Sequence, residues 1–402
     1  MAEISDSRMD RITYLRKEWA VFTGLCLTYL GAGASILSTQ WPVEDVLRWT
    51  LMAGAVMVYI LLVLLRNLGA NQRSGDATLL SNLGWGNRLT LLRGMLLAAL
   101  VGFAGGPAPA GWLAWAPGVI YSLAVAADAL DGFVARRTNH ATRLGEILDM
   151  SLDGLGVLAA SLLLITYGRA PAWFILVGLA RYLFLAGIWL LEKRSRLVHA
   201  LQPSVRRRMF ASIQMVFLAA MLFPIFIPPL TWVAAGMFAL FFLGSFTWDW
   251  LLASGAVRGA PAAWENWSRR SLPALQIGLR LGLFGLATIF ALQSLENASQ
   301  PVVLLSILQL ITAGFVLLGA AGRISSGVAL ILLGLGQLLA APAALQALQV
   351  VGYAALIFIG CGPYSLWLLE ESWFERSGRR VRQGYSQRNQ RETLPQTASE
   401  TQ

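Results

Sequence analysis

The stretch DALDGFVARRTNHATRLGEILDMSLD, residues 128–153, decides how the rest of the chain is read. It places Asp128, Asp131, Asp149 and Asp153 on two segments otherwise apolar enough to cross a membrane. An ionised carboxylate in hydrocarbon costs about 2.5–3.5 kcal/mol on insertion scales. Four of them together need a strong counter-charge, and a bound divalent metal is the simplest. Asp128 and Asp131 are three residues apart and share a helix face, interleaved with the small residues Gly132 and Ala135. Arg136 lies eight residues after Asp128, about two turns along the same face. The loop Arg137–Leu144 reverses the chain, and Gly145, Asp149 and Asp153 then recur at four-residue intervals. The hairpin thus brings two carboxylate pairs to similar depths.

Composition sets the surroundings. The chain is 56% hydrophobic and only 13% charged, about half the charged fraction of a soluble domain. That makes it an all-α polytopic membrane protein. A net charge of +10 invites a nucleic-acid reading, but no such module accompanies it. Arginines on cytoplasmic loops account for it, so nucleic acid is not expected as a partner. Cys26 and Cys361 both lie inside apolar runs and imply neither a disulfide framework nor a zinc site. The polar leader before Trp19 is long for a secretory signal, so the first apolar run reads as a retained helix.

Twelve apolar runs approach the ~20 residues needed to span: Trp19–Ser38, Trp49–Leu65, Leu89–Gly105, Leu113–Val134, Gly145–Tyr167, Ala172–Leu191, Met209–Ile227, Leu230–Ala253, Leu272–Gln293, Val302–Ala321, Ser325–Ala340 and Leu348–Leu369. With the N-terminus inside, the basic loops fall inside throughout, including Arg136, Arg137 and Arg143 and the cluster from Lys193 to Arg208. The outside loops hold only Arg48 and Arg169. The expected location is therefore the inner membrane of a cell, with both termini and the aspartate hairpin cytoplasmic. The expected organisation is a two-helix leader and linker (1–75), a six-helix core (76–256), a four-helix unit (257–371) and a disordered cytosolic tail (372–402).

Hard oxygen ligands at this density suit Mg²⁺ or Mn²⁺ rather than zinc. Four carboxylates can hold two such ions, and a two-metal site neutralises a diphosphate and stabilises displaced oxygens. Small residues let a nucleotide approach the backbone, Arg136 can pair with a phosphate, and one carboxylate can serve as base for an incoming hydroxyl.

The pattern D-x2-D-G-x2-A-R-x8-G-x3-D-x3-D, filled by Asp128, Asp131, Gly132, Ala135, Arg136, Gly145, Asp149 and Asp153, resembles the signature of the CDP-alcohol phosphotransferase family. The resemblance implies a membrane enzyme in phospholipid biosynthesis. It would transfer a phospho-alcohol, such as the phosphatidyl group of CDP-diacylglycerol, to an acceptor hydroxyl and release CMP. It implies that Asp128, Asp131 and Asp149 bind two metal ions with help from Asp153, that Asp153 is also the catalytic base, and that Gly132, Ala135, Arg136 and Gly145 line the CDP site. It also implies a homodimer.

Beyond that pattern, Asn87, Thr90 and Arg93 in GNRLTLLRG resemble the start of the family's first core helix. Two readings stay open for Asn87 and Thr90: contact with the nucleotide, or helix capping and back-bonding to the helix. Arg181, mid-helix in GLARYLFLAG, is costly unless it faces the bundle interior, and is expected in the acceptor site. PSVRRRMFASIQ resembles the family's P-S-x2-G-K-x2-T segment but carries Arg207, Arg208 and Ala211 where Gly, Lys and Thr are usual. Arg206, Arg207 and Arg208 are read either as holding the phosphate of a phosphorylated acceptor or as ordinary inside-loop charge. Asp249, between Trp248 and Trp250, is read as interfacial, and His140 and His199 as surface residues. The last four helices resemble DoxX-like membrane bundles, with Arg280 expected to snorkel to the surface. A twelve-helix transporter or an inactive scaffold are the competing readings; against the first, the carboxylates cluster in one hairpin and the halves lack matching broken helices.

Overall fold

Each expected span overlaps one α-helix in the computed structural model, which describes residues 2–73, 78–199, 201, 204–257, 270–339, 344–362 and 364–367. Among the described residues the α-helices are α1 (Ala2–Leu37), α2 (Val43–Asn67), α3 (Gly84–Gly102), α4 (Ala116–Arg137), α5 (Arg143–Thr166), α6 (Ile175–Lys193), α7 (Val205–Met221), α8 (Leu230–Ala253), α9 (Leu272–Asn297), α10 (Gln300–Leu318), α11 (Gly322–Gly336) and α12 (Ala344–Ile359). Among the described residues, extended pairing is limited to isolated bridges. Among the described residues, eight helices are long and apolar enough to cross a membrane. The chain is an all-α polytopic membrane protein. The tail from 372 onward, and nearly all of the loop entering α9, lie outside the described residues.

Two expected spans are shorter than their apolar runs. Helix α7 stops at Met221 because Pro224, Pro228 and Pro229 follow, and proline cannot continue a helix. Helix α12 stops at Ile359, where Gly360 and Gly362 adopt φ of 79° and 74°, the left-handed geometry that ends helices. The following residues turn back instead, and Trp367 O accepts from Ala321 N at 3.1 Å.

The chain forms two compact units, Met1–Tyr182 with Met215–Thr231, and Leu183–Gln214 with Trp232–Gln402. Helix α3 is the hub of the first. It packs against α4, α2, α5 and α1, and buries most of its residues, including Thr90, Leu91, Arg93, Leu97 and Ala98, while Trp85, Arg88 and Leu92 stay exposed along one stripe. Trp49 of α2 locks onto it, donating from Nε1 to Ala99 O at 3.1 Å. Gly86 permits the close approach of α4: a Cβ there would sit 2.7 Å from the Ala135 Cβ and 3.2 Å from its Cα.

In the second unit, Phe358 of α12 stacks on Phe241 at 4.6 Å and meets Phe210 and Phe238 edge-on at 5.0 and 5.3 Å. Arg280 of α9 does not snorkel. It is 5% exposed and donates to Leu317 O (2.9 Å), Val316 O (3.1 Å) and Cys361 O (3.3 Å). Gln276, one turn earlier, donates to Ile359 O at 2.9 Å. One cation and one amide thereby satisfy carbonyls at the ends of α10 and α12, where positive charge is favoured.

Candidate active site

The hairpin of α4 and α5 is built locally. Pro117 opens α4, and Arg136 and Arg137 occupy its last turn, where the helix dipole favours cations. Thr142 caps α5, its Oγ1 accepting from Gly145 N at 3.1 Å. Asn87 of α3 reaches the same cap, donating from Nδ2 to Thr142 Oγ1 at 3.1 Å and towards Asn71 Oδ1 at 3.4 Å. Gly145 must be glycine for this contact, since a Cβ would lie 2.5 Å from Asn87 Oδ1.

The carboxylates converge on Arg93, a residue the sequence reading placed in a motif but not in the site. Its Nη1 lies 2.5 Å from Asp128 Oδ1 and 2.8 Å from Asp149 Oδ1, and its Nη2 lies 2.9 Å from Asp153 Oδ1. The Arg93 side chain is 4% exposed, while Asp149 is 46% exposed, so the cluster opens to solvent on the Asp149 side. Oxygens of Asp128, Asp149 and Asp153 all lie within 4.8 Å of one another. Behind them, Arg93, Tyr121, Asp128, Asp153 and Gly156 line a cavity of only about 10 Å³, room for about one water.

Asp131 is held apart from the other three. Its Oδ2 accepts from the Thr90 hydroxyl at 2.8 Å and its Oδ1 from Gly132 N at 2.5 Å. Thr90 also lies 3.2 Å from Gly86 O, the back-bonding geometry left open above. Arg136 extends over Gly132, where a Cβ would come within 3.1 Å of its Nη1. Ala135 faces Gly86, so its small size serves the α3–α4 contact.

Arg181 reaches the cluster from α6. Its Nη1 lies 2.9 Å from Asp153 Oδ2 and its Nη2 donates to Met150 O at 3.2 Å. Both oxygens of Asp153 are thus paired with guanidinium groups. Arg206, Arg207 and Arg208 lie in the first turn of α7, within the second unit. There Arg207 Nε pairs with Asp249 Oδ2 at 2.8 Å, and the Asp249 side chain is 9% exposed. His140 Nε2 lies 3.1 Å from Asn82 O, away from the carboxylates.

The donor set fits a divalent cation. Three convergent carboxylates offer hard oxygen ligands. When ionised, Asp128, Asp131, Asp149 and Asp153 carry four negative charges against two positive from Arg93 and Arg181. The surplus of two equals the charge of one such ion.

Comparison with known proteins now bears on this geometry. The CDP-alcohol phosphatidyltransferase family description matches residues 84–243. A protein of Salmonella choleraesuis (strain SC-B67), named CDP-diacylglycerol--glycerol-3-phosphate 3-phosphatidyltransferase, is 33% identical over 183 residues, covering 42% of this chain and 93% of the relative. The chain belongs to the CDP-alcohol phosphatidyltransferase family. It is therefore grouped with enzymes that transfer substituted phosphate groups. An identically named Escherichia coli (strain K12) protein is 31% identical over 149 residues, 35% of this chain and 77% of the relative. One from Bacillus subtilis (strain 168) is 35% identical over 70 residues, 17% of this chain and 36% of that relative. No solved structure matches. Every aspartate and arginine of the cluster falls within the phosphatidyltransferase stretch, whereas α1, α2 and α9 to α12 fall outside it.

Proposed function

We propose that this chain transfers the phosphatidyl group of CDP-diacylglycerol to a hydroxyl of a small phosphorylated acceptor, with release of CMP, in phospholipid biosynthesis. The acceptor named for the relatives is glycerol 3-phosphate, and it is the first candidate here. The gathering of Asp128, Asp149 and Asp153 around Arg93 carries the reading.

Asp128, Asp149 and Asp153, with Asp131 beside them, would hold Mg²⁺ or Mn²⁺, which when bound supplies charge neutralisation for the diphosphate. The protein's own surplus matches one ion, and the charge of the diphosphate accommodates a second. Arg93 keeps the carboxylates converged. Gly132, Ala135, Arg136 and Gly145, with Asn87 and Thr90 on α3, border the CDP site. The acceptor hydroxyl attacks the phosphorus bearing the diacylglycerol; the new P–O bond forms as the bond to CMP breaks. Asp153 takes the hydroxyl proton. Arg181 turns from Asp153 to the acceptor's phosphate, so the base is released when the acceptor arrives. Arg206 and Arg208 are a second candidate for that phosphate, through the altered basic segment. The site faces the cytosol of a cell whose inner membrane holds the protein, with both termini on that side, as the arginine distribution supports. The module is residues 76–256, flanked by accessory helices, and the family resemblance supports a homodimer.

The test follows CMP release from CDP-diacylglycerol by purified protein with Mg²⁺ or Mn²⁺ and a panel of acceptors. Release that depends on acceptor and metal, and is lost in Asp153→Asn, supports the reading. No CMP with any acceptor, or an unaltered rate in the variant, overturns it.

A further inference from the structure

The accessory helix α1 and the core helix α3 enclose a groove of about 560 Å³. This is within the ~300–1,000 Å³ of ordinary ligand pockets. Phe22, Leu25, Leu92 and Met95 form its apolar walls, and Lys17 and Arg88 stand at one end. Arg88 pairs with Glu18 at 3.0 Å and lies over the Trp85 ring at 5.2 Å. Glu18 is further engaged by Leu83 N at 2.9 Å. Lys17 has no ion-pair partner among the described residues, so this end carries one net positive charge. Leu25 and Leu92 are 55% and 47% exposed, and α1 is long and apolar enough to cross a membrane. The groove is therefore exposed along its apolar length and cationic at its end.

We propose that the groove binds one anionic glycerophospholipid, with an acyl chain against Phe22, Leu25, Leu92 and Met95 and the phosphate at Lys17 and Arg88. Charge complementarity selects the occupant: an apolar chain fits any lipid, but the cationic end favours a headgroup of net negative charge. The site lies on the face of α3 opposite Thr90 and Arg93, uses a helix outside the family's matched stretch, and is independent of the transfer reaction.

The full chain in phosphatidylcholine nanodiscs, doped with spin-labelled phosphatidylglycerol or spin-labelled phosphatidylcholine, tests this by the motionally restricted lipid fraction. The anionic lipid is expected to be favoured roughly fivefold for each cation at the site. Lys17→Gln should remove about one such factor, and Leu92→Trp, which narrows the groove, should reduce the preference for the anionic lipid. Glycerol 3-phosphate, which has no chain, should not displace the lipid. Equal restriction of both lipids, indifference to both variants, displacement by glycerol 3-phosphate, or exclusion of lipid by a second copy cross-linked through Val21→Cys would each overturn the proposal.

Discussion

Arg181 Nη1 sits 2.9 Å from Oδ2 of Asp153, while Asp153 Oδ1 is 2.9 Å from Arg93 Nη2. The carboxylate assigned as base is thus clamped on both oxygens. A carboxylate clamped in this way has both oxygens engaged in charge-assisted hydrogen bonds, so one must be released before it can meet an acceptor hydroxyl. Of the two clamps, Arg181 is the one that can move, being 32% exposed against 4% for Arg93.

Replacing Arg181 with Met is therefore expected to separate two activities. The KM for a phosphorylated acceptor should rise about 10–100-fold, the worth of one hydrogen bond to a charged group. CMP release without acceptor should rise, since Asp153 is then unguarded and water can serve. Steady-state kinetics with and without glycerol 3-phosphate measure both. A fall in both activities together would make Arg181 a structural residue only.

Arg93 and metal are expected to share one task, holding three carboxylates at close quarters. Arg93→Met removes a buried partner, a change that costs about 3–5 kcal/mol when a buried pair is broken. The variant should unfold at lower temperature than the parent in metal-free detergent, and Mn²⁺ should recover more of the loss for the variant than it adds to the parent. Thermal unfolding with and without Mn²⁺ reads this. Equal shifts for both proteins would dissociate Arg93 from the metal site.

Much of this arrangement was legible beforehand, and what was not has physical causes. The twelve apolar runs each mark a helix, because burial in lipid demands length and apolarity that sequence shows directly. The four-residue rhythm of Gly145, Asp149 and Asp153 puts one α5 face toward α3, where Arg93 meets both aspartates. Arg93 was missed because its role comes from α4 and α5 converging on α3, which no local spacing encodes. Asp131 shares a face with Asp128, yet the Thr90 hydroxyl captures it. Arg280 reads like a snorkelling arginine until the ends of α10 and α12 are seen around it.

Two glycines in the same site are expected to behave differently on replacement by Ala. At Gly86 a Cβ meets the Ala135 Cβ at 2.7 Å and its backbone at 3.2 Å, so α3 and α4 must separate. That overpacking should cost about 1–3 kcal/mol and reduce transfer through misplacement of Thr90 and Arg93. At Gly132 the nearest atom is the tip of Arg136, at 3.1 Å, which can swing aside. Gly132→Ala should keep its thermal stability and raise the KM for CDP-diacylglycerol. Unaltered substrate kinetics in a stable Gly132→Ala protein would remove Gly132 from the nucleotide site.

Asp131 and Asp153 are expected to differ as well. Asp153→Asn should lower the rate of CMP release about 10²–10⁴-fold, the usual range for loss of a general base. Asp131 already has two donors, Thr90 and Gly132 N, and an amide oxygen can still accept from one of them. Asp131→Asn should therefore fold normally and raise the metal concentration needed for half-maximal activity, with a smaller fall in rate at saturating metal. Thr90→Val should move the metal requirement the other way, because Asp131 Oδ2 is then released toward the three carboxylates, which lie within 4.8 Å of one another. Titrating Mn²⁺ against CMP release for the three variants gives the ordering. A metal requirement unchanged in both Asp131→Asn and Thr90→Val would leave Asp128, Asp149 and Asp153 as the whole of the metal-binding set.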